Sequence, residues 1–300
     1  MYRIHKHRMT KKDSAFSLPI LSIAILCLIL LVSGTDLALS QVITNNGGAV
    51  VTVAGGTVIV TDAMENNSGS TFDNGGTLTT ATITNAGTLQ NNGTYEVSSS
   101  FTNTGTFTIG TSTFDFNGSG SQSIPAYNFY NLTSSSSGAR TLPNGGTVGV
   151  AGTFTPGPNS YTVVGSTISY NGSGAQTVAA FDYNSLTLAI AGVKTFAAGT
   201  TRIADALTIT GSASGDGVTN STTIEYTGTS SQAIAAFTYY HLVLKNAGAK
   251  TIATGFNING NLTLFSGSTT SINSGVSVQV LGAFTTAGSL NNNGHLLISN

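Results

Sequence analysis

From Gln41 onward, apolar and polar residues alternate in short runs with a period of two. Thr106-Phe107-Thr108-Ile109, Thr147-Val148-Gly149-Val150, Leu207-Thr208-Ile209 and Val276-Ser277-Val278-Gln279-Val280 are examples. Alternation over four to six β-prone residues predicts strands with one buried face. No stretch after Leu39 carries a helical period. Asn-Gly punctuates the runs, at Asn46, Asn74, Asn92, Asn117, Asn144, Asn171, Asn259 and Asn293. Asn-Gly is a strong hairpin signal, so an antiparallel sandwich is the first architecture to weigh. The runs between Gly87 and Gly93 are too short for useful hairpin arms. A solenoid corner needs the same residues and accepts short strands, because each strand pairs with the next coil.

Two repeat scales support the solenoid. The shorter one links Gly76-Thr77-Leu78, Gly87-Thr88-Leu89, Gly93-Thr94-Tyr95 and Gly105-Thr106-Phe107, with alternate members about 18 residues apart. It returns at Asn291-Asn292-Asn293-Gly294. The longer one links Gly118-Ser119-Gly120-Ser121-Gln122, Gly172-Ser173-Gly174-Ala175-Gln176 and Gly228-Thr229-Ser230-Ser231-Gln232, in steps of about 55 residues. Tyr127-x-Phe129-x-x-Leu132, Phe181-x-Tyr183-x-x-Leu186 and Phe237-x-Tyr239-x-x-Leu242 follow at the same steps. Gly138-Ala139-Arg140-Thr141, Gly192-Val193-Lys194-Thr195 and Gly248-Ala249-Lys250-Thr251 close the three units. Three coils of about 18 residues make one long step. The expected fold is all-β: a parallel β-helix, or β-solenoid, of roughly 18-residue coils stacked about 4.8 Å apart.

The first forty residues differ in kind. Arg3, Lys6, Arg8, Lys11 and Lys12 precede an apolar run over Ile20–Val32, and Ala38-Leu39-Ser40 offers small residues before Gln41. This is the pattern of a secretory signal helix cleaved before Gln41, and the run is short of the roughly 20 residues of a membrane span. The expected organisation is therefore a signal peptide over 1–40, a solenoid of short Asn-Gly-Thr repeats over 41–113, and the three longer repeats over 114–300. The chain is expected to continue beyond Asn300, with an anchoring or secretion domain downstream.

Composition then gains a meaning. Only 7% of the 300 residues are charged, against about a quarter in ordinary globular domains. From Gln41 onward there are five bases (Arg140, Lys194, Arg202, Lys245, Lys250) against nine acids, a formal charge of −4, and no cysteine. In a solenoid, equivalent positions stack, so like charges would form repulsive columns. Thr, Ser and Asn stack without that penalty, and Asn or Gln can form amide ladders. Such a surface is not that of a nucleic-acid binder, and it contains no membrane span.

The Asn-Gly-Thr-Leu style of Asn85–Gly110 and the three Gly-x-Gln, aromatic, Leu, Gly-x-Lys/Arg-Thr units resemble the repeat regions of bacterial β-solenoid surface proteins. These are β-helical adhesins, autotransporter-like passengers and strand-repeat surface proteins. The resemblance covers Val42–Asn300 and implies a secreted or cell-surface structural or adhesive rod. Its implied partners are extracellular glycans or a neighbouring cell surface. It brings no catalytic residues and no cofactor.

Chemistry-bearing residues are few. The side chains that could contact a glycan are Arg140, Lys194, Lys250, Tyr127, Tyr183 and Tyr239. Stacking on sugar rings competes with packing inside the coil for the aromatic column, and an apolar Phe at the same position favours the inside. Three coils would separate the cations by about 14 Å, beyond the Debye length of about 8 Å. Each would then act alone, which favours simple surface solvation. His241 reads as a solvent-facing polar slot, and Gly215-Asp216-Gly217 offers one acid where calcium needs six to eight oxygens. Thr106/Thr108, Thr153/Thr155 and Thr208/Thr210 raise an ice-binding array but miss many coils. The alternative function is a carbohydrate-active β-helix enzyme, a polysaccharide lyase or hydrolase. It wants carboxylates about 5–9.5 Å apart, and the nearest sequence pairs, Asp62/Glu65 and Asp205/Arg202, read as solvated turns. The chain is accordingly expected not to be an enzyme.

Overall fold

The computed structural model describes Gln41–Ser299, Ile109 excepted; the proposed signal peptide lies outside the described residues. Among these residues the chain forms 35 strands and no helix, and the strands pair in parallel in eight sheets. The architecture is a parallel β-solenoid of about 13 turns. At about 4.8 Å per turn it measures about 62 Å along its axis.

Three strands make a turn. Thr113–Phe116 pairs with Asn131–Thr133, which pairs with Phe154–Thr155. Gln122–Ser123, Arg140–Thr141 and Tyr161–Thr162 stack on a second face. Asn128–Phe129, Thr147–Val150 and Thr167–Tyr170 stack on the third. In the first turns two faces are covered by one long strand that bends at a corner. Thr77–Thr80 pairs with Thr94–Val97, the register shifts, and Thr82–Asn85 then pairs with Ser100–Asn103. One seven-stranded sheet runs from Val42–Asn45 to Phe154–Thr155, so residues on both sides of position 113 share one core.

The period-two pattern explains the burial. In Thr113–Phe116 the two Phe side chains point inward, while Thr113 and Asp115 face outward. Parallel register then stacks like on like: Ile59, Leu78, Tyr95, Phe114, Leu132 and Phe154 form one inward column. The Tyr95 and Phe114 rings stack with centroids 5.4 Å apart. Each fully buried side chain of this kind contributes about 1.5–3 kcal/mol.

A corner near the N-terminal end shows the amide ladder that stacking allows. Asn45 Nδ2 donates to Asn66 Oδ1 (2.9 Å), Asn66 to Asn85 (2.6 Å) and Asn85 to Asn103 (2.5 Å). Asn85 Nδ2 also reaches the Thr106 carbonyl at 3.0 Å. Asn45, Asn66 and Asn85 are buried, so the ladder is made away from water. Asn85→Ala leaves Asn103 Oδ1 and the Thr106 carbonyl without their donor and takes from Asn66 Nδ2 one of its acceptors, while the Thr88 carbonyl remains. It is expected to cost about 1–3 kcal/mol, measured as a lower midpoint in urea at unchanged slope.

The long repeat does not span three equal short coils. Turn length varies along the rod: Thr77 pairs with Thr94 across a short turn, and Thr200 with Thr223 across a long one. Thr113–Phe116, Thr167–Tyr170 and Thr223–Tyr226 are the equivalent strands of the three repeats. Each lies eight strands after the last, in a different sheet. Eight strands at three per turn are two and two-thirds turns, so the long step averages about 20 residues per turn. The repeat therefore moves to another face at each step. The cause is corner length, which is not constant even between equivalent positions. Leu132 and Leu186 correspond in the long repeat, yet Leu132 pairs with Phe154 and Leu186 with Leu207, one position sooner.

Candidate functional site

The residues that recur with the long repeat build one polar device, three times. At the corner after Thr113–Phe116, the Gln122 side chain turns back and its Oε1 accepts the Gly118 N–H at 2.8 Å. Its Nε2 donates to the carbonyls of Val97 (2.8 Å) and Ser99 (3.2 Å) in the preceding turn. Gln176 does the same with Gly172, Val150 and Gly152. Gln232 repeats it with Gly228, Ile203 and Asp205. Each glutamine thus closes its own corner and ties it to the turn before.

The cation of the next turn completes the device. Arg140, Lys194 and Lys250 are the register partners of Gln122, Gln176 and Gln232. Arg140 Nη2 donates to the carbonyls of Phe116 (2.6 Å) and Gly118 (2.9 Å), and Nη1 to that of Gly120 (3.2 Å). Lys194 Nζ donates to Gly172 O (2.8 Å), Gly174 O (2.9 Å) and Gln176 Oε1 (2.7 Å). Lys250 Nζ donates to Gly228 O at 2.6 Å. The glycine two residues before each cation permits this approach. A Cβ at Gly138, Gly192 or Gly248 would strike the backbone oxygen of Gly120, Gly174 or Ser230.

All three cations are 0% exposed, which overturns the expectation of a solvated surface column. They do not form a column either, because each stands in a different sheet. No ion pair among the described residues involves any of them. Burial pushes all three below their ordinary pKa values, and for Arg140 the more distant charges of Tyr161 and Asp115 offset only part of it. Backbone carbonyls supply the compensating negative ends of dipoles.

The aromatic candidates are also committed to the scaffold. Tyr183 and Tyr239 are 2% and 0% exposed, so neither offers a ring face to a sugar. Tyr127 is half-buried and donates its hydroxyl to the Asn103 carbonyl at 2.6 Å. The partners of the buried pair were not among the residues singled out in the sequence. Tyr170 and Tyr183 hydroxyls meet at 3.0 Å, Ala179 N–H donates to Tyr170 at 2.8 Å, and Tyr183 donates to Ala179 O at 2.9 Å. Tyr226, Tyr239 and Ala235 repeat the arrangement. In the first repeat the corresponding residues are Phe116, Phe129 and Pro125. Proline has no N–H to satisfy, and both hydroxyls are dispensed with. Tyr170→Phe should therefore cost about 1–3 kcal/mol, because Ala179 N–H is left without an acceptor. Adding Ala179→Pro should recover part of the loss in a urea titration.

The remaining candidates stay apart. Asp62 and Glu65 lie in the strand Val58–Asn66, not in a loop, and accept bonds from Gln41 N and Thr44 Oγ1. Arg202 bridges Asp182 (2.9 Å) and Glu225 (3.0 Å), and Glu225 also holds Lys245 (3.0 Å). Opposite charges thus alternate along one face, while Asp205 accepts Ser185 Oγ. Asp216 closes its own loop by accepting from Val218 N and from Thr219 N and Oγ1. Burial raises its pKa, but these bonds together bring it below the usual value. His241 is half-buried, and its Nδ1 accepts the Asn261 N–H at 2.9 Å. The Thr-x-Thr pairs fall in three different sheets and form no single array. Among the described residues no three of His, Cys, Asp and Glu gather to hold a metal. An open hollow of about 630 Å³ is lined by Tyr130, Asn131, Thr153, Asn171 and neighbours, none of them charged. No helix among the described residues is long and apolar enough to cross a membrane. Neither the family models, nor the curated proteins, nor the solved structures compared with the chain give a match.

Proposed function

We propose that the chain is a secreted or cell-surface structural rod, a stiff β-solenoid that spaces or presents whatever it is joined to. One observation carries the reading: the side chains with chemistry to offer are spent on the scaffold. Three cations and three glutamines close corners, and Tyr183 and Tyr239 lie in the core. What faces outward is chiefly uncharged Thr, Ser and Asn, with scattered acids that the two outward bases, Arg202 and Lys245, do not balance, a sparsely charged and mildly acidic surface suited to a spacer. An adhesive role, if carried by this segment, falls to that surface rather than to Arg140, Lys194, Lys250, Tyr183 or Tyr239. The export half of the reading rests on the sequence pattern of residues 1–40.

Protease shaving of intact producing cells, followed by peptide sequencing, tests this. Release of solenoid peptides, with a mature N-terminus at Gln41, is the expected result. Retention of the Met1 chain inside the cell would overturn the export reading. Binding of the purified rod to a glycan array would assign it an adhesive role, and a blank array would leave it a spacer.

A further inference from the structure

Asn-Gly is the dipeptide most prone to spontaneous deamidation. The glycine nitrogen attacks the asparagine Cγ, the C–N bond of the carboxamide breaks, and ammonia leaves with a proton. Water then opens the succinimide to aspartate or isoaspartate. The step needs a glycine N–H free to lose its proton and a carboxamide oxygen able to take up negative charge. A rod displaying eight such dipeptides would gather charge as it ages, on a surface whose stacking disfavours like charges.

At Asn117-Gly118 and Asn171-Gly172 both requirements are blocked. The attacking N–H is held by Gln122 Oε1 and Gln176 Oε1, each at 2.8 Å. The Oδ1 atoms of Asn117 and Asn171 are buried and receive no hydrogen bond, so charge developing there finds no donor. Buried acceptors without donors are costly, and shielding gives these two a role. Gly75, Gly145 and Gly260 donate instead to the carbonyls of Val53 (2.7 Å), Gly165 (2.9 Å) and Tyr240 (2.7 Å). Asn46-Gly47, Asn92-Gly93 and Asn293-Gly294 are different: each asparagine is exposed, and no acceptor among the described residues takes the glycine N–H.

We propose that Gln122 and Gln176 shield Asn117 and Asn171 from deamidation, and that Asn293 is one of the modification sites the fold leaves open, with Asn46 and Asn92. The glutamines act as positioning residues, fixing the glycine nitrogen in its unreactive state.

The test is peptide mapping with isoaspartate detection on the full chain, held folded at mildly alkaline pH and 37 °C. Asn293 should deamidate while Asn117 and Asn171 lag by at least about ten-fold, the rate cost of first breaking one hydrogen bond. In guanidinium all three should react at similar rates. Gln176→Ala should release Asn171 and leave Asn117 shielded in the same molecule, whereas Gln176→Glu, which keeps an acceptor, should release neither. Equal rates at Asn171 and Asn293 in the folded chain would overturn the proposal. So would release of Asn117 together with Asn171 in Gln176→Ala, since protection would then be a property of global folding.

Discussion

The solenoid is expected to remain folded up to pH 10 and to unfold in one cooperative transition between pH 10 and 12. The buried tyrosines set this window. Tyr170 and Tyr226 are pushed up from 10.0 to about 12, chiefly by burial, and their tyrosine and backbone hydrogen bonds offset only part of it. Tyr161 also reaches about 12, mainly through burial. Burial drives Tyr95, Tyr183 and Tyr239 upward too. Above the ordinary tyrosine pKa the unfolded chain loses protons that the folded chain keeps. The stabilisation is thus complete below pH 10 and lost as pH rises through the folded values. At about 1.4 kcal/mol per pKa unit, Tyr170 and Tyr226 account for about 3 kcal/mol each by pH 12. Lys194 and Lys250 work in the opposite sense. Burial lowers them, so relief of their charge adds stability as pH climbs toward the ordinary lysine value near 10.5. The expected profile is flat or gently rising to pH 10 and steeply falling beyond, followed by circular dichroism with tyrosinate absorbance at 295 nm. Tyrosinate absorbance that rises fully before any loss of β signal would contradict it.

Removing a buried cation is the most damaging single substitution expected. Lys194→Ala deletes the donor shared by Gly172 O, Gly174 O and Gln176 Oε1 and opens a cavity at a fully buried position. Hydrogen bonds to charged groups are worth about 1.5–3 kcal/mol each, and the exposed acceptors cannot all find water. A loss of about 3–5 kcal/mol follows, a large part of the roughly 5–15 kcal/mol that holds a domain folded. The damage is placed mid-stack, where a solenoid depends on both neighbouring turns. Lys194→Met fills the volume without donating and should recover little, which separates the lost hydrogen bonds from the lost packing. Lys194→Arg should lose far less, because Arg140 already occupies the equivalent position in the first repeat. Chemical denaturation of the three variants checks the order.

Much of the fold is legible along the chain. Alternation such as Thr113-Phe114-Asp115-Phe116 specifies strands with one buried face, and Asn-Gly corners too closely spaced for hairpins specify stacked coils. The rotation between repeats is not legible, because a sequence period counts residues while a turn counts corners. The loop before Thr223 lengthens the turn that pairs Arg202 with Glu225, and nothing in the long step announces it. The site was half legible. Recurrence picked out Gln122, Arg140 and their equivalents, but lysine and arginine are ordinarily surface residues, and that prior pointed the wrong way. The available signal was the glycine two residues before each cation, a close approach that a solvated side chain does not require. Tyr170 and Tyr226 were hidden because Phe116 breaks the polar match in the first repeat, and only Pro125 explains the break.

The turn length is the quantity on which the placement of every repeated residue depends, and disulfide trapping measures it directly. Thr187 and Thr208 are register partners, at the separation of adjacent strands that a disulfide can bridge. In a chain carrying Cys27→Ser, the pair Thr187→Cys and Thr208→Cys should oxidise rapidly and completely within the folded monomer. The pair Thr187→Cys and Asp205→Cys, which would face each other in a coil of about 18 residues, should not. Cross-linking of the second pair in place of the first would return the repeat to three short coils and put Arg140, Lys194 and Lys250 back on one face.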